Sequence, residues 1–315
     1  VNTPELSVIV PVSDRYDDVE SLYRAYRDAI ADLGCSAEII YVLDGPQPQV
    51  LERLQNLRAA GEELEIVQLA RRFGEATALA AGKEVSSGAL ILTLPAYFQV
   101  EPSALRRLFE AKNDHHMVIA HRWPRRGSAF EALRRRLFHR IIEAVTGLRY
   151  RDLGCGVRLL DRQVLDEVSL YGDQHRLLPV IVERNGFRVH EVDLPQSPHD
   201  EFRGRYSLRD LLGRLLDVFA VFFLVKFTKK PLRFFGAVGS AMCAFGGVYL
   251  SVIVAQRLFF GEPLADRPAL LLSSLLVVLG IQIFGLGLLG ELIIFSHARD
   301  LKEYRVERIV NDRRV

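Results

Sequence analysis

Two stretches near the C-terminal end constrain this chain more than any other feature. Residues 234–256 and 268–290 contain no Asp, Glu, Lys, Arg or His. Each run is 23 residues long, roughly 35 Å as an α-helix, enough to cross a hydrocarbon core of about 30 Å. Buried helices of soluble proteins seldom go so long without charge. The link at residues 257–267 is short and holds Gly261 and Pro263. The pattern predicts a transmembrane hairpin over 234–296. Lys226, Lys229, Lys230 and Arg233 precede it, and Arg299, Lys302, Arg305 and Arg308 follow it. The link carries only Arg257 and Arg267, offset by Glu262 and Asp266. The excess of basic residues outside the link puts both chain ends, including the tail 297–315, in the cytoplasm. Glycines at 236, 239, 246, 247, 285, 287 and 290 allow close helix approach, within the hairpin or between subunits of a homo-oligomer.

Upstream, residues 211–227 are apolar but interrupted by Arg214, Asp217 and Lys226. The region 207–233 is expected to lie in the membrane interface as an amphipathic helix. A core helix of the preceding domain is the other reading of the same pattern.

The chain has 315 residues, 41 basic and 39 acidic, with a formal charge of +2. That balance argues against nucleic acid as a partner. Three cysteines at 35, 155 and 243 lack zinc-like spacing. The first apolar run, Leu6–Val12, is too short for a secretory signal, contains Pro11 and has no basic leader.

Residues 1–206 alternate between apolar runs and amphipathic segments. Strands are expected at 6–12, 38–43, 64–69, 89–94, 117–121, 157–160 and 187–192. Helices are expected at 17–33, 47–60, 76–85, 102–112, 130–145, 162–170 and 174–185. This order predicts an α/β domain with a mostly parallel sheet covered by helices. Ligands of such sheets bind beyond the carboxyl ends of strands. That directs attention to Pro11–Asp14, Asp44–Gly45, 70–74, 95–99 and His121–Arg122. No G-x-G-x-x-G follows the first strand, and no G-x-x-x-x-G-K-[ST] or G-x-S-x-G occurs. His115, His116, His121 and His139 form no H-x-x-x-H pair, which disfavours a metal hydrolase.

The segments SVIVPVSD, EIIYVLDG, ARRFGEATALAAG, FQVEPSAL and DLGCGVRLLDR, in this order, resemble the motifs of family-2 glycosyltransferases with the GT-A fold. The likeness is nearest to the polyprenyl-phosphate glycosyltransferases, the group of dolichyl-phosphate mannose synthase. YGDQHRLLPVIVERNGFRVHEV, the step KKPLRFFG, the hairpin and LLGELI extend it over nearly the whole chain. The resemblance implies a nucleotide-sugar or nucleotide-diphosphate ligand, a polyprenyl-phosphate acceptor and a membrane location. It implies that Pro11, Val12 and Asp14 line the nucleotide pocket and that Asp44 accepts hydrogen bonds from base or ribose. Arg72, Gly74 and Gln99 would sit beside the nucleotide. Asp152 and Arg158 match a late D-x-x-x-G-x-R pattern near sugar and phosphates and, with Arg122, are the candidates for catalysis. On residue types alone, Asp152 and Arg158 also read as a strand-edge ion pair. Arg122, Arg126, Arg203 and Arg205 are the candidates for the acceptor phosphate. The other arginines at 125, 134, 135, 136 and 140 suit a basic face toward anionic headgroups.

One departure from the family pattern bears on the chemistry. A D-x-D-like stretch after the fourth strand normally supplies carboxylates to Mg²⁺ or Mn²⁺ on the diphosphate. Here it reads Pro95-Ala96-Tyr97-Phe98-Gln99-Val100. Gln99 with Glu101 is a poor oxygen set for a hard cation, so no tight metal site is expected. Two readings stay open: a transferase that works without metal, and a degenerate homologue that binds or assembles with an active enzyme.

Overall fold

The computed structural model describes residues 4–13, 15–126, 129–168, 172–200, 231–261 and 268–297. Asp14, Arg203, Arg205, the expected interfacial region up to residue 230, the link at 262–267 and the tail from 298 lie outside the described residues. The chain divides into two compact units, residues 1–217 with 304–315, and residues 218–303.

In the first unit seven strands form one sheet: β1 (Leu6–Val12), β2 (Ala37–Leu43), β3 (Glu65–Gln68), β4 (Leu90–Thr93), β5 (Met117–Arg122), β6 (Arg158–Asp161) and β7 (Val189–Leu194). The order across the sheet is β3-β2-β1-β4-β6-β5-β7. All pairings are parallel except those of β6, which runs antiparallel between β4 and β5. β1 is buried at every position, which is why it reads as an uninterrupted apolar run. Edge strand β3 is only partly buried, its exposed ends Glu65 and Gln68 flanking Ile66 and Val67.

Six of the unit's helices pack beside the sheet in the expected order: α1 (Val19–Ala31), α2 (Pro48–Ala59), α3 (Glu75–Val85), α4 (Arg106–Glu110), α5 (Ala129–Thr146) and α6 (Arg162–Glu167). A seventh, α7, is Leu178–Arg184. Asp18 caps α1 by accepting the Ser21 amide hydrogen bond. Two expected helices are split. The segment 102–112 opens as a 3-10 turn at Pro102–Ala104 before α4, and 174–185 opens as a 3-10 turn at Gly172–Leu177 before α7. Each α-helical part starts where a proline has fixed the first turn, Pro102 just ahead of α4 and Pro179 within α7.

The second unit is an antiparallel-length pair of helices, Pro231–Phe260 and Pro268–His297. Both are long and apolar enough to cross a membrane, with mean hydropathies of 1.9 and 2.4. They are longer than the charge-free runs because Leu232, Arg233, Leu258 and Phe259 continue the first helix and Leu292, Ile293 and Ile294 the second. Only 17% and 11% of their most apolar windows are buried, so they are not core helices. Phe245, Val248, Leu258, Leu271 and Leu292 are largely exposed.

Glycines set the spacing of the pair. A Cβ on Gly239 would come 2.6 Å from the Gly280 carbonyl oxygen, and one on Gly280 would come 2.7 Å from that of Gly239. Backbones meet there as small-residue packing permits in a medium without water.

Candidate active site

The carboxyl ends of β1, β2, β4 and β5 bring the sequence-derived candidates to one edge of the sheet. At the end of β2, Asp44 is buried, and its carboxylate accepts hydrogen bonds from the amides of Phe73 (2.7 Å) and Gly74 (3.1 and 3.2 Å). Asp44 therefore fixes the loop that carries Arg72 to the strand end. Gly45, at φ +94, makes that approach possible: a Cβ there would lie 3.0 Å from the Arg72 amide nitrogen. Pro11 and Val12 are buried, and the Val12 carbonyl accepts from the Asp44 amide and the Gln47 side chain. These two residues can shape a pocket through their backbone, while their side chains belong to the core.

After β4, the segment 95–99 is fastened on all sides. Tyr26 donates its hydroxyl to the carbonyls of Pro95 and Tyr97. Asp17 accepts from the Phe98 amide at 3.0 Å. Gln99 is buried, its Oε1 accepting from the Gly156 amide at 2.7 Å and its Nε2 donating to the Tyr97 hydroxyl. The Arg15 guanidinium lies over the Tyr97 ring, 3.8 Å from its centroid, a cation–π geometry. Burial raises the Tyr97 pKa, so the ring stays neutral.

Beside this segment runs a network of charges. Arg122, at the end of β5, pairs with Asp152 through Nε (2.7 Å) and Nη2 (2.9 Å), and with Asp200 through Nη1 (2.9 Å). Arg125 adds a 3.0 Å bond to Asp152, and Arg15 reaches Asp200 at 3.4 Å. Arg122, Asp152 and Asp200 are each at least nine-tenths buried at their side chains. Burial works against the Asp152 carboxylate, but Arg122 and Arg125 outweigh it and hold its pKa at about 2. The bidentate Arg122–Asp152 pairing satisfies both ions while fixing the orientation of the guanidinium.

Arg158 does not pair with Asp152. It is buried and donates to the carbonyls of Cys155 and His175, so the strand-edge ion-pair reading is corrected. The antiparallel run of β6 turns Arg158 toward the 3-10 turn, while Asp152 sits in the loop before it. Arg126 is exposed, and its amide donates to Gln196 at 2.7 Å. Glu101 has its amide on the Pro195 carbonyl. Among the described residues no group of three His, Cys, Asp or Glu side chains is arranged to hold a metal ion.

Sequence reasoning missed four participants. Arg15 and Asp200 are 185 residues apart, and no local pattern links them. Gln196 binds Asp200 through Nε2 at 2.9 Å. His175 donates from Nε2 toward Glu75 (3.3 Å), the first residue of α3. Burial, with Arg158 and Arg176 nearby, depresses the His175 pKa to about 3. The unfolded chain binds this proton near the ordinary histidine value of about 6.5. Stability from His175 is therefore fully present above about pH 6.5 and is lost as pH falls toward 3. The expected slope is about 1.4 kcal/mol per pH unit in that window. Thermal unfolding between pH 7 and 4.5 should fall more steeply in the native chain than in His175→Gln; equal slopes would remove His175 as the source.

Two of the clefts in the described part of this unit bear on the site. The larger, about 380 Å³, is at the amino ends of β1 and β4, away from the charge network. The smaller, about 300 Å³, is lined by His121, Trp123, Arg125, Arg135, Arg151 and Asp152 and opens directly onto the network. The chemistry favours the smaller one, which combines guanidinium groups with an exposed indole.

The chain matches the description "Glycosyl transferase family 2" over residues 7–169. It is 28% identical over 311 residues to the undecaprenyl-phosphate 4-deoxy-4-formamido-L-arabinose transferase of Klebsiella pneumoniae (strain 342), covering 97% of this chain and 94% of that protein. It is 30% identical over 315 residues to the transferase of the same name from Pseudomonas paraeruginosa (strain DSM 24068 / PA7), covering 97% and 90%. Among solved structures, glucosyl-3-phosphoglycerate synthase from Mycobacterium tuberculosis in complex with uridine-diphosphate superposes with a TM-score of 0.51 at 20% identity, covering 70% of this chain and 79% of that one. The same synthase with Mn²⁺ and uridine-diphosphate-glucose gives 0.51 at 16%, covering 70% and 78%. These structures share the fold, a mostly parallel sheet with helices on its faces, and the matched segment takes in Asp44, Gln99, Arg122, Asp152 and Arg158: the chain belongs to glycosyl transferase family 2.

Proposed function

We propose that this chain transfers a sugar from a nucleotide-sugar donor to a polyprenyl phosphate at the cytoplasmic face of a membrane. One observation carries the reading: the likeness to undecaprenyl-phosphate sugar transferases runs over 97% of the chain, hairpin included. In this reading residues 1–206 form the cytoplasmic catalytic domain, 207–233 lie in the interface, 234–296 anchor the chain, and both termini are cytoplasmic.

The donor nucleotide lies over the ends of β1 and β2. Pro11, Val12 and Asp14 frame it, and Asp44, Arg72, Gly74 and Gln99 stand beside it. The acceptor phosphate comes to Arg126, with Arg203 and Arg205 from the following segment, over the buried Arg122 that orders this end of the sheet. An oxygen of that phosphate attacks the anomeric carbon, forming a new C–O bond. The C–O bond to the nucleoside diphosphate breaks, and its electron pair leaves with the diphosphate. The acceptor is already ionised, so no strong general base is needed; positioning and stabilisation of the leaving group supply the catalysis. Asp152 acts as a positioning residue for Arg122, and Arg158 braces the loop that holds Asp152.

The surface of α5 agrees with a membrane-facing role. Leu133, Arg136, Leu137 and Arg140 are all exposed and recur at helical spacing along one stripe. Such a stripe suits an anionic lipid surface. The degenerate-homologue reading rests on Pro95 and Tyr97. It is the weaker one, because a chain without ligands to position gains nothing from burying the costly Arg122–Asp152–Asp200 cluster.

The test is reconstitution of the full chain in vesicles containing undecaprenyl phosphate, followed by a panel of labelled nucleotide sugars. Formation of a lipid-soluble sugar phosphate from one donor is expected. Absence of product with every donor, in a folded protein, would favour the degenerate homologue. Asp44→Ala should weaken nucleoside-diphosphate affinity roughly tenfold to a hundredfold, the worth of a charge-assisted hydrogen bond. Calorimetry reads this directly, and unchanged affinity would remove Asp44 from the nucleotide site.

A further inference from the structure

A divalent cation does not fit the residues after β4. Pro95 brings no donor, and Tyr97 presents a neutral phenol. Both polar atoms of the Gln99 amide are committed, one to the Gly156 amide and the other to Tyr97. Three carboxylates around this segment are engaged as well, and Glu101 alone would leave a cation with one charged ligand. Asp17 accepts from the Phe98 amide, Asp200 serves Arg15, Arg122 and Gln196, and Asp152 serves Arg122 and Arg125. A hard cation needs several oxygen ligands with negative charge among them. Here it would also meet a guanidinium stacked 3.8 Å from the Tyr97 ring centroid.

We propose that Arg15 takes the place of the metal and binds the diphosphate of the donor. This rests on the transferase reading above. Arg15 follows β1, at the strand ends where the ligand of such a sheet lies. Its side chain is 39% exposed, whereas those of Arg122 and Asp200 are 5% and 6% exposed. Arg15 is thus the most exposed member of the network, ahead of Arg125 at 21%, and Arg122 and Asp200 form its buried base. The Tyr97 ring holds the guanidinium plane from below, and Asp200 holds one edge.

Charge supports the assignment. Arg15, Arg122 and Arg125 set against Asp152 and Asp200 leave one positive charge in excess. A guanidinium matches phosphate oxygens with paired, planar donors and stays protonated throughout the reaction. The replacement of the family's carboxylates then has a physical reason. Carboxylates at 95 and 97 would repel a diphosphate in the absence of a cation, whereas an aromatic ring at 97 seats the arginine that attracts it.

The experiment compares nucleoside diphosphates with monophosphates, because only the former should use Arg15. The full chain in detergent is titrated with uridine and guanosine mono- and diphosphates, in EDTA and in Mn²⁺. In the native chain the preference for the diphosphate should persist in EDTA and change less than threefold with Mn²⁺. Arg15→Ala should lower diphosphate affinity by tenfold or more and leave monophosphate affinity unchanged, which also shows that the variant is folded. Arg15→Lys should recover part of the loss. A tenfold or greater rise in diphosphate affinity with Mn²⁺, or equal diphosphate affinity in Arg15→Ala, would overturn the assignment and leave the transferase reading standing. Failure of every nucleotide to bind the native chain would overturn both.

Discussion

Arg122→Met should abolish transfer and cost about 3–5 kcal/mol of stability, the largest single effect expected in the catalytic domain. The side chain is buried, and it holds two buried carboxylates by three hydrogen bonds. Methionine fills most of the volume but leaves Asp152 and Asp200 without their principal counter-ion. Stranding one partner of a buried ion pair is far costlier than removing both. Addition of Asp152→Ala to Arg122→Met should therefore recover part of the stability while restoring no activity. Acid should help the single variant as well. In the native chain Asp152 is held near pKa 2 against an ordinary 3.8. Its ionised form stabilises the fold above about pH 3.8, and that contribution is lost as pH falls through 2. Without Arg122 burial dominates, the carboxyl pKa rises, and the penalty shrinks as the group is neutralised. Chemical unfolding at pH 7 and pH 5 measures both effects. A loss under 1 kcal/mol would show the cluster to be solvated.

Gly280→Val should separate the two long helices, while Gly285→Val should leave them together. A Cβ on Gly280 would lie 2.6 Å from the Cys243 sulfur, 2.7 Å from the Gly239 carbonyl oxygen and 2.8 Å from the Cys243 amide nitrogen. Two of those atoms are backbone, so the helices themselves must move. Overpacking of this kind costs about 1–3 kcal/mol, and a membrane offers little hydrophobic drive to restore the contact. A Cβ on Gly285 meets nothing within 4 Å. Both variants lie in the same helix and add the same side chain, so apolarity and helix propensity cancel. Energy transfer between labels on the two helices in detergent reads the separation. Equal values for the two variants would contradict the close packing at Gly239 and Gly280.

The strands were legible because burial imposes runs of apolar residues. β1 is enclosed throughout and its bounds follow from the run itself. Helix ends were less so: Pro102 looks like an ordinary starting residue and Pro179 falls inside the expected helix 174–185, and only the backbone reveals a 3-10 turn before each α-helix. Asp44, Arg122 and Asp152 stood out from their places at strand ends and in a family pattern. Their partners did not. Asp44 binds amides of the 71–74 loop, and Arg122 meets Asp200 across 78 residues. Such contacts arise from the crossing of chain segments and leave no periodic trace. One arginine after a strand carries no signal in the sequence; the meaning of Arg15 comes from the Tyr97 ring beneath it.

The central claim is that the acceptor is a lipid phosphate received by arginines at the end of β5. The most direct measurement offers the reconstituted chain two acceptors of equal length, a polyprenyl phosphate and the corresponding polyprenol, with the donor found active in the panel. Release of nucleoside diphosphate and appearance of lipid-linked sugar are followed together. Equal amounts of both products with the phosphate, and neither with the alcohol, is the predicted result. Transfer to the alcohol at a similar rate, or diphosphate release without a lipid product, would contradict the account.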